Sequence, residues 1–148
     1  MIVKEFMVNN VWTCGPDTNL EAAAMMMWDH DCGSIPVVDH DGHPIGIITD
    51  RDIAMASALN HKALWDISAK EVMNGRPVFT CKSDDDIKAA LRQMQSHKVR
   101  RLPVTDHFGY LEGILTIDDI VAGTEQGSVA LLSFGDTINT LKAVCKHH

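Results

Sequence analysis

No apolar run in this 148-residue sequence approaches the roughly 18 residues that a membrane-spanning helix needs. The N-terminus, Met1-Ile2-Val3-Lys4-Glu5-Phe6, lacks a basic segment followed by an apolar one, so no secretion signal is expected. Positive charge is scarce: 13 Lys and Arg stand against 20 Asp and Glu, a net charge of −7. An acidic surface repels the phosphate backbone, which argues against nucleic acid as the main partner. The four cysteines (Cys14, Cys32, Cys81 and Cys145) form no C-x-x-C pair, and reduced thiols in a cytoplasmic protein are expected. Enzyme signatures are missing as well: there is no G-x-G-x-x-G, G-x-x-x-x-G-K-[ST], H-E-x-x-H or G-x-S-x-G. No catalytic residue is assigned, and an enzyme is not expected.

What is present is ordinary for a globular chain, 45% hydrophobic and 22% charged, and long enough to bury a full core. The informative feature is an internal repeat. Residues 13–53 align without a gap on residues 80–120. The identities include Thr13/Thr80, Cys14/Cys81, Met27/Met94, His30/His97, Pro36/Pro103, Gly42/Gly109, Gly46/Gly113, Ile47/Ile114, Thr49/Thr116 and Asp52/Asp119. Just upstream, Lys4-Glu5-Phe6-Met7 matches Lys70-Glu71-Val72-Met73 with a one-residue slip.

Each copy reads as β-α-β-β-α. A β-prone piece comes first, Val11-Trp12-Thr13 and Val78-Phe79-Thr80. A helix follows, capped by Asp17 or Thr18 in copy one and by Ser83 or Asp84 in copy two. Strands are expected at Ile35–Val38 and Leu102–Thr105, with the proline at the strand's start because it cannot donate to a ladder. Turns at Asp41-Gly42 and Phe108-Gly109 lead to third strands at Ile45–Ile48 and Glu112–Leu115. Second helices are placed near 50–59 and 117–123, with a connector over 60–67. The division expected is repeat one over 1–62, repeat two over 63–123 and a helical tail over 124–148. In that tail Val129, Leu132, Ile138, Leu141 and Val144 supply the apolar positions and Gly135 an interruption.

The motifs Ile35-Pro36-Val37-Val38-Asp39 and Leu102-Pro103-Val104, each followed by Gly46-Ile47-Ile48-Thr49-Asp50-Arg51-Asp52-Ile53 or Gly113-Ile114-Leu115-Thr116-Ile117-Asp118-Asp119-Ile120, resemble the cystathionine-beta-synthase (CBS) domain family. The resemblance covers about residues 1–123. It implies a mixed α/β (α+β) fold in which the two repeats pack by pseudo-twofold symmetry. It also implies two clefts that bind adenosine-containing ligands. One cleft would join Asp119, Thr116, Ile114 and Arg101 with Thr13, Cys32 and Gly33. The other would join Asp52, Thr49, Ile47 and Arg51 with Thr80, Val99 and Arg100.

The chemistry suits those residue types. An ionised Asp can accept hydrogen bonds from both ribose hydroxyls. A Thr at a helix start, beside backbone N–H groups, suits ribose or phosphate. Isoleucines can wall a slot for adenine. Each cleft would receive an arginine from a different part of the fold, so the two sites should differ. With so few cations AMP is favoured, and ADP, ATP and S-adenosylmethionine are possible.

Structural readings stand beside these. The threonines and aspartates can cap helices, the arginines can be solvated, and Met25-Met26-Met27 reads as helix core and dimer contact. His40 and His43 flank an exposed turn without a closed ligand set, so no metal is expected. His30 and His97 read as packing or capping residues, and Cys14 and Cys81 as buried. Apolar helix positions Met25, Met26, Trp28, Leu59 and Ile120 suggest a homodimer through helices. The rival functions are a protein-interaction module with vestigial clefts and a metal or redox sensor. The effector partner is not identified by the sequence.

Overall fold

The computed structural model describes residues 1–125 and 134–145 of the chain. It is an α+β structure in which the two repeats build two compact units, and the units are interleaved in sequence. One comprises Met1–Asn10, Phe79–Phe108 and Glu112–His148; the other comprises Val11–Val78 and Gly109–Leu111. The segment preceding each repeat therefore completes the unit built on the other repeat. The short 3-10 turn Val3–Glu5 and strand β1 (Val8–Asn9) belong with the second repeat.

In the unit built on the first repeat, helix α1 (Leu20–Asp29) leads to a two-stranded hairpin of β2 (Ser34–Val38) and β3 (Pro44–Thr49), then to α2 (Asp50–Asn60). A 3-10 turn (Leu64–Asp66) and α3 (Ala69–Met73) follow. The hairpin register pairs Ile35 with Ile48 and Pro36 with Ile47, antiparallel. Gly42 turns it at φ 87°. Leu20, Ala23, Ile35, Val37, Ile48 and Ile67 form the core.

The unit built on the second repeat holds β4 (Cys81–Lys82), α4 (Ile87–His97), β5 (Arg101–Thr105), β6 (Leu111–Thr116), α5 (Ile117–Glu125) and α6 (Phe134–Val144). Its sheet has the order β1-β6-β5-β4, with β1 antiparallel to β6 and β4 parallel to β5. Its core gathers Val3, Phe6, Leu91, Met94, Leu102, Val104, Leu115 and Ile120. Burying a side chain of this size stabilises by about 1.5–3 kcal/mol.

The local chemistry shifts some expected elements. The helix caps are Asn19, accepting from the Ala22 N–H, and Asp86, accepting from the Lys88 N–H, rather than Asp17, Thr18, Ser83 or Asp84. Asn19 and Asp86 are equivalent positions directly before the first buried residues, Leu20 and Ile87. Thr18 instead accepts from the Gly15 N–H within the preceding turn. The first strands fall later than Val11–Thr13 and Val78–Thr80, at a single bridge, Cys14 with Val37, and at Cys81–Lys82.

Pro36 explains the shortness of the first contact. Cys14 donates to the Pro36 carbonyl (3.1 Å), and Val38 donates back to the Cys14 carbonyl (2.9 Å). Pro36 has no N–H with which to extend that edge toward Trp12. Pro36 and Pro103 lie third in their strands rather than first. Gly135 lies in the first turn of α6 and does not break it. Of the tail's apolar residues, Leu141 is half-buried and Val144 is buried, while Val129 and Leu132 lie outside the described residues. Ile120 is fully buried in its own unit, which removes it from the exposed apolar set. Among the described residues no helix is long and apolar enough to cross a membrane.

Gly46 and Gly113 are repeated for a packing reason. A Cβ on Gly113 would sit on the Val8 carbonyl oxygen, and one on Gly46 would sit on the Met73 thioether. Each glycine is where the segment that precedes one repeat crosses the third strand of the other. Backbone cannot yield where a flexible Met can, so Gly113→Ala lowers stability by about 1–3 kcal/mol and Gly46→Ala by less, as urea unfolding will measure.

Burial also sets the thiols apart. It pushes Cys14 up to about 11, against a smaller lowering by Thr18, and Cys81 up to about 12, with the nearby Asp85 charge adding to the rise. In native protein at pH 8, iodoacetamide labels exposed Cys145 fastest and leaves Cys14 and Cys81 unlabelled until unfolding, read by peptide mass mapping.

Candidate functional site

Strand β3 ends at Thr49 and helix α2 begins at Asp50, with no loop between. The exposed helix start is closed by a reciprocal pair. The Thr49 hydroxyl oxygen accepts from the Asp52 N–H (3.1 Å), and the Asp52 carboxylate accepts from the Thr49 N–H (2.9 Å). This capping box satisfies two backbone donors that the helix leaves open. The equivalent junction in the second repeat is built alike. The Thr116 hydroxyl oxygen accepts from the Asp119 N–H (3.1 Å), and Asp119 accepts from the Thr116 N–H (3.3 Å) and hydroxyl (2.6 Å). Both Thr-x-x-Asp pairs are thus helix caps. Asp52 and Asp119 nonetheless stay half-buried rather than enclosed.

The segment after each first helix repeats just as closely. Asp31 (φ 49°) and Lys98 (φ 55°) take the left-handed conformation. The Cys32 N–H then returns to the Met27 carbonyl (3.0 Å) and the Val99 N–H to the Met94 carbonyl (3.1 Å), a Schellman ending in each unit. The next carbonyls, Gly33 and Arg100, accept from Asp50 N–H (3.0 Å) and Ile117 N–H (2.9 Å). Cys32 and Gly33, and likewise Val99 and Arg100, expected in the clefts, therefore tie the first helix to the start of the second through their backbone. Each carbonyl keeps one further lone pair.

Thr13 and Thr80 are half-buried, and the Thr80 carbonyl accepts from Gln93 Nε2 (2.9 Å). Beside them His30 stacks on Trp12 and His97 on Phe79, with ring centroids 3.6 Å apart in both units. The two histidines are therefore stacking residues at the ends of α1 and α4. Ile47 is half-buried, whereas Ile114 is buried and paired with Val8 in the sheet. The two isoleucines, expected to be equivalent, are not equally open.

The arginines divide in an unexpected way. Arg51 is exposed, with its N–H on the Asp50 carboxylate (2.8 Å). Arg100 is exposed and its Nη2 meets the Cys145 sulfur at 3.4 Å. Arg101 is half-buried, and its Nε is buried without a hydrogen-bond partner among the described residues. Arg76, which the sequence reading passed over, donates from Nη1 and Nη2 to the Asp52 carboxylate (3.1 and 3.4 Å) and from Nη2 to the Ile47 carbonyl (3.5 Å). The signal that could have found it was its place three residues after Met73, in the segment matched to the N-terminal one. In the unit built on the first repeat the structure thus brings together Ile47, Thr49, Asp52 and Arg76.

Two other features lie near the first repeat. A cavity of about 360 Å³ opens between α1 and α2, lined among others by Met27, Trp28, Cys32, Asp50 and Ile53, and it does not reach Thr49 or Asp52. At the hairpin turn, donor atoms of Asp39, Asp41 and His43 lie within 4.8 Å of one another. The turn itself accounts for that grouping. One Asp39 oxygen accepts from the Asp41 and His43 N–H groups, which holds its carboxyl below the usual range, and His43 stacks on Tyr110 (4.9 Å).

Comparison with known proteins places these features. The CBS domain family model matches residues 3–59 and 69–123. Uncharacterized protein YlbB of Bacillus subtilis is 34% identical over 119 residues, covering 80% of this chain and 78% of that protein. An uncharacterized protein of Methanopyrus kandleri is 34% identical, and this chain spans 60% of its length. Inosine-5'-monophosphate dehydrogenase of Mycobacterium tuberculosis is also 34% identical, over 84% of this chain but only 22% of the enzyme.

Among solved structures, the CBS domain pair of protein MJ0100 in complex with 5'-methylthioadenosine and S-adenosyl-L-methionine superposes with a TM-score of 0.74 at 28% identity. It covers 85% of this chain and 97% of that one. Hypoxic Response Protein I with two coordinated zinc ions gives 0.73 at 30% identity, over 82% and 98%. With its motifs at both strand-to-helix junctions and the family match over both repeats, the chain belongs to the CBS-domain family as a tandem pair of CBS domains.

Proposed function

We propose that the chain is a regulatory module that binds an adenosine-containing ligand at Thr49–Asp52 and at Thr116–Asp119, without catalysing a reaction. The observation that carries this reading is the repeated junction: a half-buried carboxylate and a Thr hydroxyl at a helix start, built alike in both units. A carboxylate there can accept from both ribose hydroxyls, and the helix N–H groups favour an anion. The 28%-identical CBS pair crystallised with two adenosine compounds supports that ligand class. AMP is the favoured ligand over ADP, ATP and S-adenosylmethionine, because the chain carries net charge −7 and few cations near each junction.

Calorimetric titration with AMP, ADP, ATP and S-adenosylmethionine tests the reading. Asp52→Asn and Asp119→Asn are the informative variants, since Asn keeps an acceptor for the cap while removing the charge. Saturable AMP binding weakened about tenfold or more by either change is expected, the loss of a charge-assisted bond of about 1.5–3 kcal/mol. Silence from all four ligands at millimolar concentration would discard the ligand reading and leave an interaction module.

The same reading includes a homodimer through helices. Trp28 is 83% exposed and Leu59 71%, with Met25 and Met55 also uncovered, all on α1 and α2. Exposed apolar groups so clustered on two helices mark an interaction face. Sedimentation velocity should show twice the 16.3 kDa chain mass for the wild type and a monomer for the double variant Trp28→Asp, Leu59→Asp. A wild-type monomer at 100 µM would end the dimer proposal.

A further inference from the structure

We propose that Arg76 is a ligand-selecting residue of the Asp52 site, holding Asp52 when the site is empty and turning to an anionic group of the ligand when it is filled. The inference rests on the adenosine-ligand reading and adds to it the charge of the ligand. The Asp52 carboxylate offers about four lone-pair positions. One accepts from Thr49 N–H, and two face the Arg76 guanidinium. A vicinal diol that claims two of those positions has to displace part of the guanidinium.

Displacement is easy on this geometry. Arg76 is 48% exposed and Asp52 20%, and partly exposed ion pairs contribute little. Arg76 also follows Gly75, whose φ of 75° places it in the left-handed region at the end of α3. The displaced guanidinium carries five donors and no acceptor, so a hydroxyl-rich nucleoside gives it nothing equivalent to the carboxylate it left. A phosphate does, through a bidentate charge-assisted pair. A sulfonium ligand would add a positive charge beside it. The exchange of one anion for another thus favours a nucleoside phosphate over a nucleoside or a sulfonium compound.

The internal repeat supplies a control within the chain. Asp119 takes the Thr116 hydroxyl at 2.6 Å, and no guanidinium is paired with it among the described residues. In the segment that precedes the first repeat, the residue three positions after Met7 is Asn10, where Arg76 stands three positions after Met73. Selection by phosphate through this device therefore belongs to the Asp52 site alone.

The test titrates AMP, adenosine and S-adenosylmethionine into the Asp119→Asn protein, which isolates the Asp52 site, and into the same protein carrying Arg76→Ala or Arg76→Lys. Far-UV circular dichroism checks that each variant is folded. AMP is expected to bind at least tenfold tighter than adenosine before the Arg76 changes. Arg76→Ala should erase that ratio by weakening AMP while leaving adenosine unchanged or tighter, and Arg76→Lys should restore part of it. An unchanged AMP-to-adenosine ratio in Arg76→Ala, or equal weakening of both ligands, overturns the assignment while the ligand reading stands. Absence of binding by every adenosine compound to the wild-type chain overturns both.

Discussion

Both units turn from strand to helix within one peptide, and a threonine with an aspartate three residues on makes that turn possible. Without a connecting loop, the first helical N–H groups have neither a preceding turn nor intervening residues to satisfy them. Thr49 and Asp52, and again Thr116 and Asp119, close this gap with their own backbone and side chains. The short junction fixes the angle between β3 and α2 and between β6 and α5. It also leaves both aspartates half-buried rather than enclosed. The aspartates are thus committed to the fold before any ligand arrives, and ligand chemistry there works with a carboxylate whose orientation is already set.

The same junction explains why the flanking segments repeat so closely. The carbonyls of Gly33 and Arg100 each receive the first N–H of the following helix, Asp50 or Ile117. That bond needs the preceding helix to end at a fixed point, which the left-handed Asp31 and Lys98 provide. The chemistry of the intervening side chains is then free to differ. Asp50 corresponds to Ile117, Arg51 to Asp118 and Gly33 to Arg100, with the backbone bonds unchanged. The two junctions share a scaffold while presenting different charges.

Much of this was legible in the sequence. Strand β3 and helices α2 and α5 lie within about two residues of the expected spans, and Gly42 and Gly109 turn the chain at positive φ where turn glycines were the signal. Asp17, Thr18, Ser83 and Asp84 all offer capping oxygens, which points the first helix caps too early in the sequence. The choice of Asn19 and Asp86 is made by tertiary burial of the next residue. β propensity at Val11–Thr13 and Val78–Thr80 points to first strands that begin too early, because it cannot register that Pro36 limits what the partner edge accepts. Helical position alone suggests an uncovered Ile120, whereas it joins a core that includes Val3 and Phe6 from the opposite end of the chain. Arg76 was missed because it lies outside the aligned repeats, in a segment whose destination only the three-dimensional structure reveals.

That exchange of segments changes what a repeat is. The sequence copies are contiguous, but the compact bodies are not: Val3, Phe6 and β1 finish one, and Ala69, Val72 and Met73 finish the other. A chain divided at the boundary between copies would hand each fragment the piece that the other fragment requires. The first would carry Phe6 with no Gly123 to pack on, and the second would carry β6 with Ile114 bared where Val8 should pair. The remedy open to such fragments is to find each other again, or to take the missing piece from another chain. Covalent linkage of the two copies therefore does more than tether them: it keeps each missing piece at high effective concentration beside the unit that needs it.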